Sequence, residues 1–447
     1  MLDCRRRSMQ DARSPRERKA HSGNRLTLLL LFVVPLLFAC SAKPSESEKR
    51  AVLAAYREQA YRVYDDAYQS AQLLYEQVDA LVNNPSNETL LAARQSWRAA
   101  RVPYSQTEAL RFGHWFVDEW EARVNSWPID EGFIDYVDDS YLASETNAWA
   151  RANIIGSDSI AVAGREVPLN YIVFKQLQMF ESVADIEAVV VTGFHALEFM
   201  LWGQDTHGNA RGAGERPWTD FSLEHCTNGK FVAASEKPCR KRGEFLKTVS
   251  VLLMRHLQEM REHWGAGEGT PGDRLVRGDI DTGLNRMIFG LSALSAEELA
   301  GERMQVALLT HAPEEEQDCF SDDTHNSLWY NAKGIENFYY ARYEGYSSFH
   351  APERSLSALA KRYYPELAGE LDQAFTQTRV AMQAIREQGE SHQQFVDQLI
   401  APDNAAGNAL LQSAIDRLQA QARLLNRLAR NLGIELMAPA ALGTAAQ

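Results

Sequence analysis

VTGFHALEFMLWG, residues 191 to 203, sets a run of apolar residues around one histidine and one glutamate. Phe194, Leu197 and Leu201 recur at helical spacing, so the stretch reads as a helix with a packing face. Three-residue spacing puts His195 and Glu198 on one face, about 60° apart around the axis, where both side chains can reach a common point. Either the pair binds something there, or it is a buried polar couple satisfied by hydrogen bonds.

Spacing alone does not decide between these. The pattern His-x-x-Glu occurs four times: His195/Glu198, His256/Glu259, His311/Glu314 and His350/Glu353. The last two contain a proline and read as turns. His256 and Glu259 lie in LMRHLQEMREHW, a charged helix where an exposed pair is expected. Only His195 and Glu198 sit in strongly apolar surroundings, where an unpartnered charge costs several kcal/mol.

Working outward, the chain reads as all-α. Val52, Tyr56, Ala60, Val63, Ala67, Leu74, Val78 and Leu81 keep a helical period from Ser47 to Leu81. Asn83-Asn84-Pro85-Ser86-Asn87 ends that helix and starts another, which Pro103 is expected to kink or end. Residues 113 to 145 read as irregular, with helices at 170–182, 184–202 and 243–263. GAGEGTPGD, residues 265 to 273, is the clearest linker. Beyond it, Ser295-Ala296-Glu297-Glu298 fits a capping box opening a helix. Helical segments at 355–390 and 404–432 follow, with Gly433 in the C-cap place. Strand alternation is not evident, and two helical bundles in series are the natural architecture. The expected domains are 41–264, carrying the His-x-x-Glu motif, and 274–436.

Residues 1–40 read as a signal peptide. Residues 1 to 25 carry eight Lys/Arg against three Asp/Glu, and LTLLLLFVVPLLFAC then runs uncharged to Cys40, too short for a spanning helix. Leu37-Phe38-Ala39-Cys40 resembles a bacterial lipoprotein cleavage box, making Cys40 the expected lipidated residue. The full chain has a net charge of −14, so removing the +5 of its first 25 residues leaves about −14 − 5 = −19. That balance argues against nucleic acid or an anionic bilayer surface as partner. It leaves the lipid anchor as the contact with a membrane. In an oxidising compartment Cys226 and Cys239 are expected to form a disulfide, with Cys319 left over.

A metal site needs more than one imidazole and one carboxylate. SQTEALRFG places Glu108 and Arg111 one turn apart, and WPIDEGFIDY clusters Asp130, Glu131 and Asp135. CFSDDTHNSLWY adds Asp322, Asp323 and His325, with Asp323 or Thr324 also a sound N-cap. The bland readings are a helix salt bridge for the first segment and an N-cap for each of the others. Catalytic templates are lacking: no H-E-x-x-H, G-x-S-x-G or P-loop occurs.

These motifs together resemble the imelysin family, including its iron-regulated protein A group, whose members are also classed as metallopeptidases. Gly193-Phe194-His195-Ala196-Leu197-Glu198 matches the family's Gly-x-His-x-x-Glu signature. WRAARVPYSQTEALRFG, SWPIDEGFIDYV, ERPWTDF, LSALSAEELAGERM and CFSDDTHNSLWYNAKGIENFY extend the likeness over roughly residues 50 to 430. The resemblance implies two helical-bundle domains with the His/Glu motif near their junction. It implies an exported, lipid-anchored protein of the bacterial envelope, at the outer membrane on its periplasmic or surface side. The implied role is iron uptake, with a divalent metal bound, iron favoured and zinc possible, and an iron-transport protein as partner. It gives His195, Glu198, Glu108 and Asp130 as ligands, with Glu131 and Asp135 competing for the place of Asp130. Arg111, Glu131, Asp323 and His325 are implied around the cleft. Two alternatives are a zinc-dependent metallopeptidase and a cleft that binds a protein or haem-like ligand. A peptidase needs an open metal position and a free base, and Glu198 cannot be ligand and base at once.

Overall fold

Two serines, each with a partner three residues on, start the first two helices. The Ser45 hydroxyl accepts from Glu48 N, and the Glu48 carboxylate accepts from Ser45 N at 2.8 Å, opening α1 (Glu46–Asn83). Ser86 and Thr89 exchange the same pair of bonds and open α2 (Asn87–Thr107). The structure, a computed structural model, describes residues 43–437 apart from 140, 142–148, 163, 184–188 and 230–233. Residues 1–40, read above as a signal peptide ending at Cys40, lie outside the described residues. Among the described residues, no helix is long and apolar enough to cross a membrane.

Pro103 does not end α2. The helix continues to Thr107 and passes into a 3-10 turn at Glu108–Leu110. Tyr104 to Thr107 are all buried, so tertiary packing outweighs the ring's cost to the helix. Residues 113–145 are also more regular than expected: they hold α3 (Trp115–Asn125) and α4 (Glu131–Ile134). A small hairpin, β1 (Ser159–Val162) with β2 (Arg165–Pro168), precedes α5 (Phe174–Val183).

Of the helix expected over 184–202, residues 184–188 lie outside the described residues, 189–192 are not helical, and α6 runs Gly193–Trp202. Gly193 has φ +83°, and a Cβ there would lie 2.5 Å from the carbonyl oxygen of Val124. Only glycine meets both demands, which accounts for the first residue of the motif. The disulfide Cys226–Cys239, Cα atoms 5.9 Å apart, ties a loop to the start of α7 (Glu236–His263), which begins seven residues earlier than expected. Helices α1, α2, α6 and α7 pack as the first bundle.

The second half holds α8 (Pro271–Arg277), α9 (Ile280–Ala293), a π-helical stretch Leu294–Gln305 and α10 (Val306–Thr310). It continues with α11 (Thr324–Tyr340), the hairpin β3 (Arg342–Glu344) and β4 (Ser348–His350), and α12 (Leu356–Tyr363). Three helices, α13 (Pro365–His392), α14 (Val396–Ile400) and α15 (Ala405–Asn431), complete it. Ser295 does not cap a new helix. It sits inside the continuous run from α9 through the π stretch, and its hydroxyl donates to Leu418 O on α15. Packing of the π stretch against α15 thus has priority over a local start signal.

Helices α9, α11, α13 and α15 and the π stretch pack as the second bundle. The two bundles meet broadly, α11 against α2 and α9 against α1. At that seam a Cβ on Gly334 would lie 2.5 Å from Gln106 O, and Asn331 donates to Ser105 O at 2.8 Å. The 265–273 linker is a short turn leading into α8, so from Lys43 onward the bundles form one compact unit.

Candidate metal site

All ten residues of α6 are buried, with Trp97 of α2 donating from its indole to Phe194 O at 2.9 Å. His195 and Glu198 therefore point into protein rather than solvent, and both side chains are fully buried. His195 Nδ1 lies 3.0 Å from Glu198 Oε2. The third member is Asp318, from the turn that precedes α11, with Oδ1 3.7 Å from the same nitrogen. One ligand atom from each of the three lies within 4.8 Å of the others, the one such group of three or more among the described residues.

Each neighbour of this triad has a definite part. Glu198 Oε1 accepts from both the backbone N–H and the hydroxyl of Ser321, at 3.0 and 2.7 Å. Arg101 lies 2.9 Å from Asp318 Oδ1 as an ion pair and donates to Asn125 and Ser327. Its N–H groups are not aligned on Asp318, so neither Asp318 oxygen accepts a hydrogen bond; His195 Nε2 is likewise without a partner. Buried acceptors are rarely left so. A cation would supply what they lack, and an imidazole with two carboxylates is a donor set that suits a transition metal.

Electrostatics agree with the geometry. Burial, then the charges of Arg101 and Arg303, push His195 well below the usual imidazole range, leaving it neutral as a ligand must be. Burial, then Asp318, pushes Glu198 well above the usual carboxyl range.

The other sequence candidates go elsewhere. Glu108 is buried but paired with Arg303 at 2.6 Å; despite its burial, Arg303 and Arg111 hold its carboxyl low. Asp130 stands at the N-terminus of α4, and its carboxylate accepts from Tyr141 OH at 2.9 Å instead of capping the helix. Neither joins the triad. Arg111 pairs with Asp118, Glu298 and Glu121 rather than with Glu108. Glu131, one oxygen unpartnered, is pushed up to about 8 by burial and by Glu314, Asp130 and Asp205. Asp135 lies in a knot with Arg242 and Arg216. Asp323 occupies the N-cap position of α11 yet bonds Asn326 and faces Arg98 at 3.3 Å. His325 meets Glu390 at 3.4 Å. The Ser321–His325 segment thus reaches the cleft through Ser321, not through Asp323 or His325. The remaining His-x-x-Glu patterns behave as read: His256 and Glu259 are partly exposed, and Glu314 and Glu353 lie in proline-started turns.

Asp318 and Arg101 are the residues that sequence reading missed, and Ser321 contributes where Asp323 and His325 of the same segment were expected. Asp318 lies one position before CFSDDTHN and more than a hundred residues from His195, so no periodicity links them.

The imelysin family model matches residues 60–425. The chain belongs to the imelysin family. Among curated proteins it is 23% identical to iron-regulated protein A of Synechococcus elongatus, over 68% of this chain and 66% of that one, just under two thirds of its length. Among solved structures it resembles a protein described as a candidate iron-regulated protein A precursor from Parabacteroides distasonis. That match has 19% identity and a TM-score of 0.60, over 88% of this chain and 96% of the other. An imelysin-like protein from Psychrobacter arcticum matches at 15% identity and TM-score 0.56, over 88% and 98% of the two chains. At these identities the structural matches establish the imelysin fold.

Proposed function

We propose that this imelysin binds a divalent metal, with iron favoured over zinc, through His195, Glu198 and Asp318, and serves iron uptake. The carrying observation is the set of three fully buried ligand atoms within 4.8 Å, of which Asp318 has no hydrogen-bond donor. The likeness to iron-regulated protein A supports iron. Burial of the ligands favours capture over turnover. Both Glu198 oxygens are engaged, one by Ser321 and one by His195, so it is not a free base for activating water. The signal-like start and Cys40 support export and lipid anchoring at the bacterial envelope, which would place the chain where it could pass metal to a transport protein.

Elemental analysis of the full chain tests this, purified without chelator and equilibrated with ferrous iron or zinc beside its His195→Ala and Glu198→Ala variants. Near-stoichiometric metal in the parent and none in either variant is expected. A parent without metal, or variants that keep it, overturns the reading.

A further inference from the structure

A cation at the triad would satisfy the bare Asp318 oxygens, yet it leaves one buried group beside them unsatisfied. Arg101 is 2% exposed, and its Nε–H has no acceptor. A metal ion offers no lone pair, so that N–H needs an acceptor of its own. Arg101 is also fixed by more than Asp318. Its Nη1 donates to Asn125 Oδ1 and its Nη2 to Ser327 Oγ at 3.2 Å. Asn125 in turn donates to Glu121 Oε1 at 3.0 Å. The guanidinium carbon lies 5.2 Å from the centre of the Phe194 ring and 5.6 Å from those of Trp97 and Tyr104.

These contacts keep a positive charge next to a site for a positive ion. Arg101 Nη2 is 2.9 Å from Asp318 Oδ1, which is 3.7 Å from His195 Nδ1. A divalent metal is neutralised by Glu198 and Asp318, and Arg303 is matched by Glu108 and Glu298. Arg101 is then left as a buried charge with no counterion, which is costly. Three protein ligands also leave a metal with an open coordination position. Nε and Nη2 form one edge of the planar guanidinium, the shape that takes a carboxylate-type anion through two parallel bonds.

We propose that the triad takes its metal together with a small planar oxyanion, carbonate or the carboxylate of an organic acid, held by the Nε–Nη2 edge of Arg101. One such anion supplies the acceptor that Nε–H lacks, the missing negative charge and a further ligand for the metal. A water molecule supplies the first and the last but not the charge. Arg101 is thus a positioning residue for the anion, and Asn125 and Ser327 hold it there. This inference rests on the metal reading of the triad.

Cobalt(II), whose visible absorption reports its coordination shell, tests it on the full chain. The titration runs in carbonate-free buffer at constant pH and ionic strength, with bicarbonate or acetate added in turn. Cobalt should bind at least about tenfold more tightly with one of these anions than without, and with a changed spectrum. Which anion acts tells carbonate from an organic carboxylate. In Arg101→Gln the anion response should vanish, and Arg101→Lys, which keeps the charge but loses the planar edge, should restore it only in part. If either variant fails to fold, the parent's own response decides. Cobalt bound equally well and with one spectrum in all conditions would mean that water fills the place; that overturns the proposal and leaves the metal reading standing. An anion response that persists in Arg101→Gln overturns it too. A parent that binds no cobalt under any condition overturns both.

Discussion

Asp135 and Asp220 sit against Arg216 and Arg242, while Glu198 and Asp318 sit against His195; both clusters are buried, and they are satisfied in opposite ways. In the first, every carboxylate oxygen accepts a bond. Asp135 takes Arg242 Nε at 2.6 Å, Arg242 Nη2 at 3.1 Å and Arg216 Nη1 at 2.7 Å. Asp220 takes Tyr136 OH at 2.6 Å and Arg216 Nη1 at 3.1 Å on one oxygen, and Thr227 and Gly229 on the other. Arg216 also lies over the rings of Tyr136 and Phe199. Two arginines face two acids, and although burial opposes ionisation, Arg242 and Arg216 hold Asp135 below the usual carboxylate range. In the second, Asp318 faces Arg101 at 2.9 Å but accepts no hydrogen bond, and Glu198 is pushed upward. The first cluster matches two arginines to two acids and bonds every carboxylate oxygen, although Arg216 Nε and Nη2 lack acceptors; the second leaves both Asp318 oxygens without a donor, where a ligand would fit.

The sharpest way to break this comparison is Arg242→Met, which removes two of the three bonds to Asp135 and leaves it to Arg216 alone. It should cost about 3–5 kcal/mol of stability in urea unfolding, whereas a loss below about 1 kcal/mol would mean that the knot is not structural. His195→Ala should do the reverse: metal affinity falls at least about 100-fold, or about 2.8 kcal/mol, while unfolding stability measured without metal falls less than in Arg242→Met. Equal destabilisation by the two substitutions would make the triad another structural couple.

A pH series sharpens the contrast further. Burial and Asp318 raise Glu198, so protons compete with a cation for it; affinity should therefore rise with pH, by up to about tenfold per unit for one proton. Titration calorimetry in buffers of different ionisation heat would report that proton, and a flat pH profile would deny it. The smallest effect is expected from Asp130→Asn. With Tyr141 as its partner and no place in the triad, it should change metal affinity by no more than about 0.5 kcal/mol, and a larger loss would return it to the ligand set.

Much of the helix pattern is legible in the residues because it is local. Ser45 and Ser86 cap where their spacing to Glu48 and Thr89 indicates, and the apolar period of α1 matches its buried face. Local signals fail where packing competes. Pro103 stays inside α2, and Ser295 is absorbed into a π stretch that also carries Glu298 and Arg303. Arg303 then reaches Glu108, 195 residues away, and takes up the carboxylate expected to hold metal.

By itself, the sequence determined an all-α chain, the family's signature, and the shared face of His195 and Glu198, since each follows from spacing between residues near one another in the chain. Only the tertiary structure decided which acids complete the site. SWPIDEGFIDYV offers Asp130, Glu131 and Asp135, and their fates differ: one bonded to Tyr141, one with a bare oxygen, one locked between arginines. Whether a buried carboxylate is neutralised or left open depends on what stands opposite. For Glu198, the facing groups come from Ser321, 123 residues along the chain, and from Asp318 beside it. Charge balance is a property of contacts, and those contacts exist only once the two bundles have closed on each other.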